Sequence, residues 1–402
     1  MSMKEVFALV PFRRLAMAQL VSTFGDFLAL FAIFSIVSFR LHGSPAEVAG
    51  IMIAYMLPSG FVSPAAGVFV DRWNVKRTMI GSDLIRSVLI LILIWSTSLW
   101  TIYGVLIALA TVSSFFIPAQ TIGIRSIVPP SGLMGANALN MQIMQLTQIV
   151  TPGLAALMVK FLGERSCFWF DAASFVFSAA MVSTIAIGRA IPTVKKALAT
   201  VFADMHEGLR YIFTHATLGF IILSMGAGLF AIRCFSALIA VYVRDILHAS
   251  TGLFGSVSVL VGVGMILGTQ FVTRMAKTYS KERLMMSGLF VVAIGILMLA
   301  VFGNVPVTVV ATLVMGIGVA LIVISAQTLM QGQTPLDMLG RVTSTLMSVL
   351  SFAQVGGLAL SGSIAQVVGI RNSYFATSAL LIVIAAAGWR VVSRRTAIAA
   401  GA

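Results

Sequence analysis

The stretch GVFVDRWNVKR, residues 67–77, lies between two long apolar runs and places one acid among three cations. A charged turn in this setting predicts a hinge between two membrane spans at the water boundary. Gly67 would let a neighbouring helix approach closely, as small residues do in membrane helix pairs. One helical turn later, Asp71 can face the positive N-terminal end of that neighbour, where a carboxylate is favoured by about 0.3–2 kcal/mol. We therefore expect a contact that forms in one conformation and breaks in another, a conformational latch that also includes Arg72, Lys76 and Arg77.

The composition is that of a membrane protein. The chain has 402 residues, of which 59% are hydrophobic and only 9% charged, and its mean hydropathy is +1.05. Soluble proteins carry about 25% charged residues. A net charge of +14 would suggest a nucleic-acid partner in a soluble protein. Here the cations cluster at the ends of apolar runs, so no nucleic-acid partner is expected.

A membrane span needs about 20 residues, and the apolar runs predict twelve of them. We therefore expect an all-α membrane protein with twelve transmembrane helices in two pseudo-symmetric six-helix bundles. The predicted spans cover residues 15–39, 46–70, 78–97, 102–125, 134–161, 167–188, 217–243, 251–275, 284–302, 306–332, 339–368 and 372–392.

The placement of the cations predicts the orientation. With a cytoplasmic N-terminus, 20 Lys and Arg residues lie on the inner side and 5 on the outer side, and Arg233 lies within the membrane. An inner-side excess of cations is typical of cytoplasmic loops. We expect a multi-pass protein of the inner cell membrane with both termini cytoplasmic and anionic lipids against its inner face. Arg13 and Arg14 precede an apolar run of span length, so a cleavable signal is not predicted.

The longest interruption divides the chain into an N-terminal bundle (1–188), a cytoplasmic linker (189–216) and a C-terminal bundle (217–402). Within the linker, residues 202–213 have apolar positions at helical spacing and predict an amphipathic helix on the membrane surface. The two halves repeat weakly, TPGLAALMVKFLG at 151–163 against GGLALSGSIAQVVG at 356–369. Internal symmetry of this kind is typical of transporters, and Pro152, Gly153, Gly356 and Gly357 are candidates for close helix packing.

Two ionisable residues lie near the middle of spans, Asp26 in span one and Arg233 in span seven. Such residues are expensive in a membrane and usually functional. By the repeat they occupy equivalent helices, which favours an ion pair across the two halves that protonation of Asp26 would release. The alternative is that each side chain faces water or a backbone carbonyl.

Span five is rich in amides, and some of them share a face at helical spacing. That face could line a substrate cavity, or its amides could hydrogen-bond between helices for about 0.6 kcal/mol each. Amides of spans four and ten carry the same ambiguity. The cavity candidates are Gln120, Asn137, Met141, Gln145, Gln148, Gln327 and Gln331.

Residues 67–77 resemble the loop signature between the second and third helices of the major facilitator superfamily. Nearly the whole chain is similar to its macrolide-efflux and enterobactin-exporter branch. The matching segments are AQLVSTFGDF (18–27), DRWNVKRTMIGSDLIR (71–86), SFFIPAQ (114–120), GANALN (135–140), FDAASF (170–175), MHEGLRYI (205–212) and LGRVTS (339–344). The resemblance implies twelve helices, alternating access and export of bulky organic molecules. TPGLAA (151–156) also resembles the span-five signature of the superfamily's antiporters, with Pro152 kept and its glycines partly replaced.

Many proton-coupled relatives carry an arginine in span four, but residues 103–120 contain none. Proton coupling is therefore assigned to Asp26, with Asp83 and Asp171 as further candidates. We expect Asp83 to pair locally with Arg86, one turn away, and to brace the loop of the latch. Asp171 is expected to cap a helix or to line the outer vestibule.

Together these features predict a secondary transporter, a monomer that exports small amphipathic compounds such as drugs or siderophores in exchange for protons. The alternatives are a lysophospholipid or lipid translocator and a non-transporting receptor. No HExxH, GxSxG or Walker A pattern is present, so neither an enzyme nor ATP-driven transport is expected. Cys167 and Cys234 lie in separate apolar runs, so neither a disulfide nor a metal site is predicted, and no cofactor is expected.

Overall fold

The computed structural model describes residues 3–70, 73–95, 98–186, 210, 216–276, 278–333 and 339–401. Over these ranges the chain is predominantly helical and contains no strand, so the prediction of an all-α membrane protein is confirmed. Ten of the described helices are long and apolar enough to cross a membrane. Two further helices contain the shorter apolar segments Pro45–Pro58 and Phe352–Val368.

The chain divides into two compact units, Met1–Gly43 with Gly50–Lys195 and Ser44–Ala49 with Lys196–Ala402. The helices up to residue 186 are α1 (Met3–Ala8), α2 (Val10–Ser35), α3 (Pro45–Val70), α4 (Val75–Trp95), α5 (Leu99–Ile127), α6 (Leu133–Leu162) and α7 (Glu164–Ser183). Those after residue 215 are α8 (Ala216–Asp245), α9 (Thr251–Met275), α10 (Lys281–Val301), α11 (Val305–Gln333), α12 (Leu339–Val368) and α13 (Ile370–Gly401). Predicted spans one to twelve thus correspond to α2 to α13.

Short polar caps begin several of these helices. Ser44 and Glu47 form a reciprocal capping box at the start of α3, since each side chain accepts a hydrogen bond from the other residue's backbone N–H. The side chains of Asn74, Ser98 and Ser280 accept backbone N–H groups at the starts of α4, α5 and α10. These caps satisfy amide groups that a helix start leaves without intrahelical partners.

In the first unit, α7 packs against both α2 and α4, and α4 also packs on α5. Below the middle of α7, toward its C-terminal end, a layer of buried apolar side chains fills the interior, including Phe12, Met79, Phe116 and Val182. These side chains come from α2, α4, α5 and α7 and form part of the apolar core of the first unit.

In the second unit, α9 and α10 both pack on α11, α10 also packs on α13, and α8 packs on α12. Small residues permit the closest approaches. A Cβ built on Gly264 would lie 3.0 Å from the Cα of Gly316 and would also meet the carbonyl oxygen of Leu313. Gly268, one turn further along α9, packs as tightly on Ile317. The spacing Gly264-x-x-x-Gly268 is the small-residue pattern expected where membrane helices touch backbone to backbone.

The predicted span boundaries agree closely in places and differ in others. Span five, predicted at 134–161, is Leu133–Leu162. Span twelve, predicted at 372–392, corresponds to the apolar segment Ile370–Arg390, and its helix continues beyond that segment to Gly401. The predicted amphipathic linker helix at 202–213 falls on residues outside the described ranges, apart from residue 210.

Candidate functional site: a buried charged cluster in the first unit

Three polar residues of α7, Asp171, Ser174 and Ser178, repeat at intervals of three and four, so they share one face of the helix. All three are buried. Their partners come from α2 and α4, which pack on that face. Ser87 of α4 donates a hydrogen bond to the carbonyl oxygen of Ala172, 3.0 Å away, and fixes the level at which α4 and α7 meet.

Asp83 and Arg86 of α4 form a salt bridge across one helical turn. Asp83 is 0% and Arg86 is 4% exposed. Ser178 of α7 donates to the second carboxylate oxygen of Asp83 at 2.7 Å. Asp83 lies eight residues after Val75, about 12 Å along the helix axis. The pair therefore forms locally, as predicted, but it lies among α5 and α7 side chains rather than beside the loop it was expected to brace.

Arg86 lies between two aromatic rings. Its guanidinium carbon is 4.4 Å from the ring centroid of Phe116 on α5 and 4.4 Å from that of Phe175 on α7. A cation over an aromatic face is stabilised by the ring quadrupole, by about 2 kcal/mol when the pair is desolvated. The two rings therefore offset part of the cost of keeping this guanidinium out of water.

Asp171 meets α2 at a glycine. A Cβ built on Gly25 would lie 2.6 Å from the Oδ1 atom of Asp171 and would also meet the Oγ of Ser174. Ser174 in turn donates to the Asp171 backbone carbonyl at 2.7 Å and lies 3.3 Å from Oδ1. Asp171 is thus an interior residue of α7, 1% exposed, and not the helix cap that was one of its two expected roles.

Asp26 follows Gly25 directly and is only partly buried. It lies within electrostatic range of Arg86 and Asp83, and Asp171 lies within range of Asp26 and Arg86. Tyr55 of α3 is also within electrostatic range of Asp26 and Asp171. We call Asp26, Asp83, Arg86 and Asp171 the charged cluster. It holds three carboxyl groups and one cation, and its only cation already has a carboxylate partner.

The predicted latch is described in part. Asp71 and Arg72 lie outside the described residues, and Gly67 lies in the last turn of α3. Lys76 donates to the backbone carbonyl of Ser183 at 2.6 Å, and Arg14 donates to that of Thr184 at 3.1 Å. Two cations thus hold the C-terminal end of α7, where the helix dipole favours positive charge.

Arg77 is exposed, and its backbone N–H donates to the Asn74 side chain. The latch itself, which depends on Asp71, remains a prediction.

The amide face predicted on span five is on α6. Asn137, Met141, Gln145 and Gln148 are all exposed. Gln120 of α5 is different, because its side-chain amide donates to Gln19 of α2. It therefore forms an interhelical hydrogen bond, one of the two roles considered for these amides.

In the second unit, the Arg233 side chain donates from Nε to the Oε1 atom of Gln354 on α12, at 2.8 Å. Gln327 is partly buried on α11, and Gln331 lies near the end of the same helix. The ion pair between Asp26 and Arg233 remains a prediction.

The glycines and proline expected to pack helices differ from one another. Pro152 lies inside α6, beside Gly153, and both are partly buried. A Cβ built on Gly357 would lie 2.7 Å from the Phe230 carbonyl oxygen of α8, whereas one built on the adjacent Gly356 would meet no described atom within 4 Å.

Sequence reasoning singled out the acids of the cluster but missed Gly25, Ser174 and Ser178. A usable signal was present, since Asp171, Ser174 and Ser178 recur at helical spacing in an otherwise apolar span. Within the described residues, no group of three or more His, Cys, Asp or Glu side chains is arranged to hold a metal ion. Cys167 and Cys234 are free and buried.

Residues 6–400 match the model of the MFS_3 family, described as transmembrane secretion effectors. The chain belongs to this family of major facilitator superfamily transporters. Its relatives include the uncharacterized MFS-type transporter YfiS of Bacillus subtilis, 25% identical over 91% of this chain and 89% of the relative. The multidrug efflux pump Tap of Mycolicibacterium fortuitum is 25% identical over 84% and 85%. Macrolide efflux protein A of Streptococcus pyogenes is 24% identical over 85% and 86%.

Solved transporters share the fold of this transporter at low sequence identity. The nucleoside transporter NupG has a TM-score of 0.69 at 14% identity, over 94% of this chain and 98% of its own. A bacterial homologue of the human lysosomal transporter Spinster has a TM-score of 0.72 at 13% identity, over 96% and 97%. Family and fold together establish a multi-pass membrane transporter, so the predicted superfamily membership is confirmed and the chain is not an enzyme.

Proposed function

We propose that this transporter exports small amphipathic organic compounds from the cytoplasm in exchange for protons. The observation that carries the proposal is the charged cluster, in which three carboxyl groups and one guanidinium occur together inside a membrane-spanning unit. Ionisable groups are costly at membrane depth and usually mark ion or substrate pathways. The relatives described as macrolide and multidrug efflux pumps support small organic substrates and outward transport.

Asp26 is the member of the cluster placed to exchange protons, since it is partly exposed while Asp83 and Asp171 are buried. Its protonation would remove a negative charge beside Arg86 and change the balance of the cluster. In this proposal that change biases the alternation between inward and outward access. The latch around Asp71 would stabilise one of the two states.

The exposed face of α6 supplies the proposed substrate contacts. Gln145 and Gln148 offer amide donors and acceptors, and Met141 offers a flexible apolar surface. The face carries no charged side chain, which suits amphipathic compounds that differ in shape. We place the protein in the inner cell membrane as a monomer with both termini cytoplasmic and with its basic loops against anionic lipids.

Transport into inside-out vesicles tests the proposal. Vesicles containing the full chain are given a radiolabelled macrolide, a cationic amphipathic dye or a labelled lysophospholipid, with and without an acidic lumen. Proton antiport predicts that an acidic lumen increases uptake of the macrolide or the dye several-fold and that a protonophore abolishes the increase. Asp26→Asn should lose the increase, whereas Asp245→Asn, at an exposed carboxylate beside Arg244, should keep it.

The outcomes separate the alternatives. Equal uptake with and without the gradient would exclude proton antiport. Movement of the lysophospholipid alone would replace drug export with lipid translocation. An Asp26→Asn variant that keeps the full response to the gradient would remove Asp26 from proton coupling.

A further inference from the structure

The charged cluster contains more acid than its cation can neutralise. Asp83 holds the terminal nitrogen of Arg86 in a salt bridge and accepts a further hydrogen bond from Ser178. Asp83 is therefore the carboxylate whose negative charge is balanced. Asp26 and Asp171 both lie within electrostatic range of Arg86 but have no salt bridge to it, and they lie within electrostatic range of each other.

The packing of α7 on α2 places Asp171 against the residue next to Asp26. Asp171 packs directly on Gly25, the residue before Asp26, at a place where a Cβ would collide with the carboxyl group. The Ser174 hydroxyl lies at Asp171 and donates mainly to the Asp171 backbone carbonyl, at 2.7 Å against 3.3 Å to Oδ1. Asp171 is buried, and the charge of a neighbouring carboxylate disfavours its ionised form further, so a proton on one of the two groups stabilises the other as a carboxylate.

We propose that Asp26 and Asp171 share one exchangeable proton, with Asp171 as the buried member that stores it and Asp26 as the member that exchanges it with water. The assignment of roles follows from exposure, since Asp171 is 1% exposed whereas Asp26 is partly exposed. In the described part of the chain, the other titratable and charged groups facing the pair are Tyr55, Asp83, Arg86 and Cys167. Met79, one helical turn before Asp83, and Val182, one turn after Ser178, belong to a buried apolar cluster.

The consequence for transport rests on the proposed function, because a stored proton matters to export only if protons are the coupling ion. The existence of the pair is a separate matter and can be measured without a substrate. Infrared spectroscopy of the full-length protein in lipid nanodiscs detects the carbonyl stretch of a protonated carboxyl group, which an ionised carboxylate lacks. Raising the pH should abolish that band in the wild-type protein.

Asp171→Asn should remove the band, and Asp26→Asn should remove it or shift its frequency, because either change breaks the pair. Asp245→Asn should leave it unaltered. If the band persists in Asp171→Asn and disappears in Asp83→Asn, the proton belongs to Asp83 and the proposal is wrong. A band that persists in all three cluster variants also overturns it.

Loss of folding in Asp171→Asn would not leave the question open. Ser174→Ala keeps every charge and removes only the hydroxyl beside Asp171, so the band should shift in frequency, and an unchanged frequency contradicts the proposal. The two proposals fail in different ways. If the wild-type protein shows the infrared band but its transport does not depend on the pH gradient, only the proposed function is wrong. If transport depends on the gradient but the band persists in Asp171→Asn, only the proton pair is wrong.

Discussion

Arg86 shows what a buried charge in a membrane protein requires from its neighbours. Arg86 is 4% exposed, and its guanidinium is stabilised by the Asp83 carboxylate and two aromatic faces. Removing one partner of such a buried pair usually costs more than the pair itself contributes, because the other charge is left uncompensated. The residues around Arg86 therefore act mainly by lowering the free-energy cost of burying its charge inside the membrane-spanning unit.

The sequence identified Asp26, Asp83 and Arg86 as candidates, because charged residues in apolar runs are visible without a structure. It could not show that Phe116, Phe175 and Ser178 surround the pair. Those three come from spans four and six, and which of their faces meets span three is decided by packing of the whole unit. Contacts within one turn, such as Asp83 with Arg86, follow from helical spacing, whereas contacts between helices do not.

Ser178→Ala tests the contribution of one such contact. The Ser178 hydroxyl donates to the buried Asp83 carboxylate at 2.7 Å, so its loss should reduce stability by about 1–2 kcal/mol. The measurement is the midpoint of thermal unfolding of the purified protein in detergent. Ser183→Ala on the same helix is the matched control, because that hydroxyl is exposed and donates only to the Ala180 carbonyl of its own turn. Equal midpoints for the two variants would show that Ser178 contributes nothing to holding Asp83.

At the scale of elements, α7 is organised as two different halves. Its middle presents Asp171, Ser174 and Ser178 to α2 and α4, and its C-terminal end is held by Lys76 and Arg14 through backbone carbonyls. Hydropathy predicts that this segment is a membrane span, but a hydropathy average over all positions hides the polar face of the helix. The polar stripe becomes visible only when positions are read at intervals of three and four.

Glycine positions show the same limit for helix packing. The repeat between the halves drew attention to Gly356 and Gly357 together, yet only Gly357 lies against another backbone, at the Phe230 carbonyl. Adjacent residues on a helix point about 100° apart, so one can face a neighbour while the other faces open space. The GxxxG pair Gly264 and Gly268 is a second close contact, and its spacing is recognisable in the sequence.

The adjacent glycines Gly356 and Gly357 of α12 make a matched pair of variants. Gly357→Ala forces a methyl group to 2.7 Å from a backbone oxygen, and overpacking of this kind costs about 1–3 kcal/mol. Gly356→Ala meets no described atom within 4 Å and should be neutral or stabilising by up to about 1 kcal/mol, since alanine favours the helix. Thermal unfolding in detergent compares the two, and a Gly357→Ala midpoint equal to or above that of Gly356→Ala would contradict the close packing of α8 and α12.

At the scale of the whole molecule, the twelve-helix architecture was predictable because membrane spans are set by length and hydropathy, which are properties of the chain alone. The sequence also predicts an orientation, with 20 Lys and Arg residues on the inner side and 5 on the outer side, but the fold has the same internal contacts whichever way it faces the bilayer. Orientation is therefore a property of the protein in its membrane and needs a measurement made there.

The two ends of α9 provide that measurement. Ser250 and Tyr279 flank the helix Thr251–Met275, and both are exposed, while the native Cys167 and Cys234 are buried and should not react. With cytoplasmic termini, Tyr279 lies inside, next to the cations Arg274 and Lys281, and Ser250 lies outside. A membrane-impermeant maleimide should therefore label Ser250→Cys in intact, right-side-out vesicles and Tyr279→Cys only in inside-out ones. The unsubstituted protein, which should remain unlabelled in both, is the control. Labelling of Tyr279→Cys in right-side-out vesicles and of Ser250→Cys only in inside-out ones would show that the orientation is the opposite of the predicted one. Labelling of both positions from one side would mean that α9 does not cross the membrane.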